Sequence, residues 1–263
     1  MRVMVASSPP GWLTAPAVPG RVAAFSVPAP TLGAAVAVRT WSPGDADDGE
    51  PLPLIVAHDG PEYDAQAQLT RYLAAGVTSG RLPRLRAALL APGSPGQMRR
   101  DQWYSASASY TSALALTVLP ALAARVAVTA RIGMGASLGA LAMLHAHCRC
   151  PATFDALFLQ SGSFFCPRFD SQEQGFRYYR RVVRFVAGVH GGRLPARQIP
   201  VVLTCGQQEE NVHNNRLMAA CLHARGYPGG LYEVPGLHNF TAWRDAFDPY
   251  LTCLLRQVMR ESR

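Results

Sequence analysis

The sequence contains no lysine, so all 25 of its basic residues are arginine. Arginine without lysine is typical of a G+C-rich genome. Against 17 acidic residues the formal net charge is +8, and the arginines are dispersed apart from a short run over 177–184. Such a run is more typical of a helix face than of a nucleic-acid surface. Because guanidinium groups bind oxyanions in bidentate fashion, the charge favours an anionic small molecule as partner.

The sequence also lacks an apolar run of about 18 residues free of proline, glycine and charge, so no membrane-spanning helix is predicted. Pro9, Pro10 and Gly11 interrupt the apolar N-terminal stretch, which we expect to be an irregular arm rather than a signal peptide. None of the six cysteines forms a C-x-x-C pair. Without an export signal, reduced thiols and a cytoplasmic location are expected.

The rest of the composition is that of a folded α/β protein. Hydrophobic residues make up 49% of the 263 and charged residues 16%, as in globular chains. Strand-like and helix-like segments alternate, which predicts a mainly parallel sheet with helices on both faces. We expect an N-terminal arm or added strands over 1–45 and a single domain over 46–263. The predicted strands cover 34–42, 52–60, 86–93, 130–135, 155–163, 199–206 and 230–236, and the predicted helices cover 110–125 with a break at Pro120, 138–148, 212–225 and 243–260.

The stretch GMGASLGALAMLHAHCRC, from Gly133 to Cys150, combines three patterns. Its glycines, Gly133, Gly135 and Gly139, resemble a phosphate-binding loop, but Gly139 lies one residue too far along the chain for the pattern G-x-G-x-x-G. The acidic residue at the right distance, Asp155, precedes the next strand instead of ending it. His145 and His147, followed by Cys148 and Cys150, resemble metal ligands. On a helix, however, the two histidines point about 200° apart. We therefore expect neither a phosphate loop nor a metal site.

The third pattern, residues 135–139 with the sequence GASLG, predicts a nucleophile elbow. It lies between a predicted strand and a predicted helix, where a sharp G-x-S-x-G turn holds the Ser137 hydroxyl above the sheet. The N–H of Leu138, in the first turn of that helix, would face an oxyanion formed there. A tight turn that only packs closely would have the same sequence, so the interpretation depends on partners elsewhere.

A serine nucleophile needs a histidine base, which in such a fold follows a later strand. His238 follows the predicted strand 230–236 directly. His190 lies in a predicted loop with no strand leading into it, and His213 and His223 fall on the predicted helix 212–225. These positions favour His238 as the base.

The acid that orients the base should follow the preceding strand, 199–206. Glu209 and Glu210 both lie there, but adjacent side chains diverge, so only one of them can contact the histidine. We favour Glu209, with Glu210, Asp248 and Asp59 as alternatives.

A second oxyanion donor should come from the turn after an early strand, in VAHDGPEYD. Pro61 has no N–H, which leaves Gly60, Glu62 or Tyr63 as donor. Of these we favour Glu62.

With these residues identified, the chain resembles the enterochelin-esterase-like, esterase D type group of α/β-hydrolases. The resemblance extends from about residue 50 to residue 258. It is carried by the segments HDGPEYD (58–64), RDQWYSASASY (100–110), LFLQSGSFF (157–165), GQQEENVHNNRLMAACL (206–222) and GLHNFTAW (236–243).

The resemblance implies an α/β-hydrolase fold, a site of Ser137, His238 and Glu209, and no metal or organic cofactor. The group includes siderophore-ester hydrolases, carboxylesterases, feruloyl esterases and mycolyltransferase-like acyl carriers. We expect a small-molecule ester substrate and neither a nucleic-acid nor a membrane partner. An acyltransferase and a non-catalytic binding protein on the same scaffold remain alternatives.

Substrate contacts are predicted less directly. Arg100 could hold an anionic or phenolic part of the substrate or form a structural salt bridge. Phe164, Phe165 and Trp243 could line the substrate pocket or belong to the core.

Overall fold

The computed structural model describes residues 9–94 and 97–261 of the chain. Eight of its strands form one sheet and two form a short hairpin. The strands are β1 (Arg21–Ala29), β2 (Ala34–Ser42), β3 (Leu52–His58), β4 (Arg86–Leu90), β5 (Gly93–Ser94), β6 (Gln97–Met98), β7 (Val128–Ala136), β8 (Ala156–Gln160), β9 (Val201–Gly206) and β10 (Gly229–Val234).

The large sheet has the strand order β1-β2-β4-β3-β7-β8-β9-β10. Strand β2 pairs antiparallel with β1 and with β4, and the remaining neighbours are parallel. The carboxyl ends of β3, β7, β8, β9 and β10 therefore lie along the same edge of the sheet. Turns after these strands are where an open α/β sheet binds its ligands.

The described part of the chain has ten α-helices, of which the last two follow the final strand. They are α1 (Gly60–Ala67), α2 (Leu69–Thr78), α3 (Arg100–Tyr104), α4 (Ala108–Ala113), α5 (Leu119–Ala123), α6 (Leu138–Arg149), α7 (Tyr179–His190), α8 (Val212–Ala224), α9 (Phe240–Asp245) and α10 (Thr252–Glu261). None of the described helices is both long and apolar enough to cross a membrane.

The core has two layers, one on each face of the sheet. Side chains alternate between the faces of a strand, so Leu54 and Val56 of β3 belong to one hydrophobic cluster and Ile55 and Ala57 to the other. The first cluster includes residues of α4, α6 and α7, and the second includes residues of α2 and α10. Because both faces are covered, the central strands are apolar throughout rather than alternating.

Several predicted elements differ from the structure in their bounds. The single helix predicted over 243–260 is wrong: Asp248 has non-helical backbone angles (φ −112°, ψ 118°), because the residue before Pro249 avoids the helical region. In the predicted helix 110–125, wide π-helical turns over Leu114–Val118 precede α5, which has Pro120 in its first turn. The strand predicted over 155–163 ends earlier, at Gln160.

The N-terminal segment contributes to the sheet through β1 and β2. Residues 1–8 of the predicted irregular arm lie outside the described residues. Beyond them, Trp12 is buried against Tyr72 and Phe247, with ring centroids 5.3 and 6.3 Å away. The predicted division at residue 45 stays a prediction.

Candidate active site

Ser137 occupies a strained turn between β7 and α6. Its backbone lies in a region that side-chain-bearing residues rarely adopt (φ 56°, ψ −124°). The Ser137 N–H donates to the Gln160 carbonyl at 2.9 Å, which ties the turn to β8. A Cβ atom on Gly135 would come within 2.6 Å of the Gly139 carbonyl carbon, so the close approach of strand and helix requires glycine there. The predicted elbow geometry is present.

Free backbone N–H groups lie on both sides of this turn. His58, at the end of β3, places its Nδ1 3.1 Å from the Gly139 carbonyl, so the first turns of α1 and α6 are neighbours. The Tyr63 N–H donates to Asp59 at 2.8 Å and is thus occupied. Among the hydrogen bonds of the described residues, none is donated by the N–H groups of Leu138, Gly60 or Glu62. Of the candidate second donors, Gly60 and Glu62 therefore remain.

Glu209 and His238 meet at the ends of β9 and β10. Glu209 Oε2 accepts a hydrogen bond from His238 Nδ1 at 2.7 Å, and Oε1 accepts from the Ser161 hydroxyl at 2.8 Å and the Gly206 N–H at 2.7 Å. Burial raises the pKa of Glu209, but these hydrogen bonds outweigh it, so its pKa is lowered overall. A buried carboxylate thus holds Nδ1 as the donor and leaves Nε2 available.

The other carboxylates considered from the sequence do not contact this histidine. Glu210 is exposed, whereas Glu209 is buried. Asp248 forms an ion pair with Arg81, and Asp59 forms one with Arg100. Of the four carboxylates considered, only Glu209, which the sequence favoured, is hydrogen-bonded to His238 among the described residues.

The Ser137 hydroxyl has a different partner in this structure. Its Oγ lies 3.0 Å from Ser163 Oγ, and among the described residues no hydrogen bond joins it to His238. The histidine side chain is 38% exposed, so its ring borders open space. Contacts between a nucleophile and its base are often long before substrate binds.

The loop after β8 fell within the strand predicted over 155–163, and no role in the site was predicted for it. Ser161 has a positive φ of 47°, and its hydroxyl accepts a hydrogen bond from Trp243 Nε1 at 2.9 Å while donating to Glu209. The Trp243 ring also meets His238 edge-on, with centroids 5.1 Å apart. The sequence SGS, directly after a strand, was the available signal. Its partners lie on β9 and α9, far along the chain.

Two asparagines at the start of α8, its N-cap residue Asn211 and Asn215, hold this loop in place. Asn215 accepts from the Gly162 N–H at 3.0 Å and donates to the Gly162 carbonyl at 2.9 Å. Asn211 donates to the Ser161 carbonyl at 3.2 Å. Their four-residue spacing puts both on one helix face, but the sequence does not indicate what that face contacts.

Arg100 forms an ion pair with Asp59. Its Nε and Nη2 donate to both oxygens of Asp59 at 2.8–3.0 Å, which is a structural role. Its side chain also borders a cavity of about 500 Å³ beside Arg99, Arg177 and Tyr178. Whether Arg100 binds substrate stays a prediction.

Of the aromatic residues that were considered as pocket lining, two are buried and one lies beside His238. Phe164 is fully buried in the core, so it is not available to line a pocket. Phe165 is buried too and stacks on Tyr179 with ring centroids 6.0 Å apart. Trp243 packs beside His238.

The histidines that resembled metal ligands face different parts of the molecule. His145 Nδ1 lies 2.7 Å from Thr111 Oγ1, and His147 Nε2 lies 3.1 Å from the Tyr227 hydroxyl. Within residues 9–94 and 97–261, no group of three or more His, Cys, Asp or Glu side chains is arranged to hold a metal ion.

Comparison with known families identifies residues 29–253 with the family Esterase, described as "Putative esterase". The family predicted from the sequence motifs is thereby confirmed. A comparison with curated protein sequences found no match.

Solved structures with a similar fold include three esterases. The enterobactin esterase of Shigella flexneri, crystallised with 2,3-dihydroxy-N-benzoyl-glycine, is 21% identical with a TM-score of 0.76 over 99% of this chain and 65% of its own. The ferric enterobactin esterase of Salmonella typhimurium is 23% identical with a TM-score of 0.77, over 97% and 63%. A feruloyl esterase module of Clostridium thermocellum, complexed with sinapinate, is 13% identical with a TM-score of 0.68, over 94% and 92%.

These likenesses confirm the predicted α/β-hydrolase fold. The chain spans less than two thirds of the length of the two enterobactin esterases.

Proposed function

Because this chain belongs to the Esterase family, we propose that it is a serine ester hydrolase acting through Ser137, His238 and Glu209. One observation carries the proposal: the buried Glu209 carboxylate holds His238 through Nδ1 at 2.7 Å, at the sheet edge where Ser137 occupies its elbow. A buried acid, an imidazole with a free nitrogen and a half-buried serine on a sharp turn are the parts of an acyl-transfer site.

In the proposed reaction, Ser137 Oγ attacks the ester carbonyl carbon while His238 Nε2 accepts its proton. The resulting oxyanion is held by the N–H of Leu138 and that of Gly60 or Glu62. As the tetrahedral intermediate collapses, His238 returns the proton to the leaving alcohol and an acyl-serine forms. A water molecule, deprotonated by His238, then releases the acid. The solvent exposure of the His238 ring supports water as the acceptor.

We propose that the substrate is a small ester with an anionic or aromatic group. Arg100 borders the cavity described above, and its Nη2 lies 3.5 Å from the Ala136 carbonyl, next to Ser137. Arg99 and Arg177 also line this cavity, with Phe176 and Tyr178 beside them. Guanidinium and aromatic groups together suit an anionic or phenolic ring. The similar enterobactin and feruloyl esterases were crystallised with aromatic ligands.

The proposal is tested with p-nitrophenyl, phenolic-acid and catecholate esters on wild type and Ser137→Ala. We expect wild type to hydrolyse at least one of them and the variant to lose activity by about 10³-fold or more. A fluorophosphonate should label Ser137 in wild type, since it reacts with an activated serine. An unlabelled Ser137 in folded protein would support a binding protein instead. Ester products formed with an added alcohol would identify an acyltransferase.

A further inference from the structure

A second concave site lies between α6 and α7, at the opposite end of α6 from Ser137. Residues 145, 148 and 149 lie on one face of α6, and residues 181, 184, 185 and 188 on one face of α7, since helical neighbours recur every three or four positions. These faces border a groove of about 320 Å³. Its polar and charged lining is His145, Cys148, Arg149, Arg181, Arg184 and Arg193.

The groove is lined by four arginines whose positive charges are not paired with acidic side chains in the described part of the chain. Within the described part of the chain, Arg149, Arg184 and Arg193 form no ion pair with an acidic side chain. Arg181 donates to the backbone carbonyls of Gln102, at 2.6 Å, and Ser105, which fix its position but carry no charge. Like charges around a concave surface focus the electrostatic potential and attract anions.

His145 provides an uncharged polar group in the floor of this groove. It is only 6% exposed, its Nδ1 is bound to Thr111, and Nε2 has no hydrogen-bond partner among the described residues. Burial, with the nearby Arg149 and Arg181 charges, lowers the pKa of His145 to about 4. The imidazole is therefore neutral near pH 7. When Thr111 donates to Nδ1, Nε2 carries the hydrogen and can donate into the groove.

We propose that this groove binds a small ligand carrying two or more phosphate groups. Four guanidinium groups supply about four positive charges and paired donors that match phosphate oxygens. A single carboxylate would neutralise only one of them, whereas a di- or triphosphate carries enough charge for several. The neutral His145 adds a donor without adding to the repulsion between the arginines.

The groove is separate from Ser137, although Arg181 donates to the carbonyl of Gln102, which lines the cavity beside Arg100. Ser137 precedes the first residue of α6, and Arg149 is the last residue of this helix of 12 residues. At 1.5 Å per residue the two ends are about 18 Å apart. A ligand in the groove should therefore bind equally well when the nucleophile is absent.

The test measures inorganic tripolyphosphate binding by calorimetry at about 0.15 M salt, in wild type and in Ser137→Ala. We expect saturable binding of one ligand to both proteins. Arg184→Gln and Arg193→Gln should each weaken it about tenfold or more, because each removes a charge-assisted hydrogen-bonding group. Arg260→Gln removes the same charge from an exposed position on α10 and should leave the affinity unchanged.

Two further measurements identify the contact and the source of the phosphate. Tripolyphosphate should shift the ¹⁵N resonances of the His145 ring, assigned with His145→Gln, and leave those of the exposed His223 unchanged. Equal affinity for ATP and tripolyphosphate would indicate that the phosphate chain alone is recognised, and tighter binding of ATP would indicate a nucleotide. The proposal is overturned if no binding occurs at this salt concentration, or if Arg260→Gln weakens binding as much as Arg184→Gln.

Discussion

Glu209 and Glu210 are adjacent in sequence but have opposite surroundings. Glu209 is buried and accepts three hydrogen bonds, from His238, Ser161 and Gly206. Glu210 is exposed on the same turn. A carboxylate that fixes the imidazole tautomer must be held rigidly, and only the buried glutamate is held in this way.

Glu209→Gln should therefore lower kcat by about 10³- to 10⁴-fold, because an amide at this position permits the wrong histidine tautomer. Glu210→Gln makes the same chemical change one residue away and should stay within about twofold of wild type. Steady-state kinetics on a p-nitrophenyl ester, with circular dichroism to check folding, compares the two. Equal losses in both variants would remove Glu209 from the proposed triad.

A chain of buried hydrogen bonds supports this carboxylate, running from Trp243 Nε1 to Ser161 and on to Glu209. Trp243→Phe removes the first donor but keeps an aromatic edge against His238. We expect kcat to fall about tenfold and the free energy of unfolding to fall by about 1 kcal/mol.

Trp12→Phe is the matched control for that substitution. Trp12 is also buried, but its Nε1 has no hydrogen-bond partner among the described residues. Its replacement should affect stability alone. If both variants kept full kcat, the hydrogen-bond chain would have no part in positioning Glu209.

Sequence patterns predicted those elements whose structure depends only on residues that are close together in the chain. The strand before Ser137, the G-x-S-x-G turn and the helix after it are contiguous, so their pattern was sufficient. His238 was predicted as the base because, in such a fold, the histidine follows a later strand along the chain. The loop 161–163 was not predicted, because α8 and α9 hold it from about 50 and 80 residues away.

The missed helix break has a similar explanation. The apolar periodicity over 243–260 continues across the interruption, since α9 and α10 pack against the same face of the sheet. Periodicity reports which side chains are buried, not whether the backbone is continuous. The signal that could have located the break was Pro249.

Asn215→Ala should loosen the loop that contacts both Ser137 and Glu209. It removes both hydrogen bonds to Gly162 and leaves two buried backbone groups unpaired, which should cost about 2–3 kcal/mol of stability. We expect kcat to fall while KM changes little, since this loop borders the proposed catalytic residues. Kinetics and urea unfolding measure the two effects.

Asn214→Ala is the control on the same helix. Its side chain is also buried; it donates to Asp170 at 3.0 Å and accepts from Asn215 Nδ2 at 3.0 Å, but among the described residues it forms no hydrogen bond to the loop 161–163. We expect a loss of stability with kcat retained. A comparable fall in kcat in this variant would mean that α8 acts only through general stability.

The molecule as a whole buries three histidines in neutral form. Burial lowers the pKa of His58 to about 3, and burial with nearby arginine charges lowers the pKa values of His145 and His147 to about 4. In the unfolded chain each takes up a proton near pH 6.5. Between pH 6.5 and about 4 the unfolded state therefore binds more protons than the folded state, so stability falls as the pH falls.

The free energy of unfolding should decrease by roughly 1.4 kcal/mol per pH unit for each such histidine in this range. Urea unfolding at several pH values between 7 and 5 measures the slope. His147→Gln should remove one histidine's share of the slope, roughly 1.4 kcal/mol per pH unit, whereas His223→Gln, at an exposed position on α8, should leave it unchanged. A slope unaffected by His147→Gln would contradict this assignment.

The strand order also has a consequence for biosynthesis. The ribosome makes β7 and the turn at Ser137 about 100 residues before His238, which follows β10 at the edge of the sheet. A growing chain therefore carries Ser137 for several seconds without a base beside it, at ordinary elongation rates. Under the proposed mechanism, a nascent or truncated chain would be inert toward esters, and the first turnover would report that the last strand has docked.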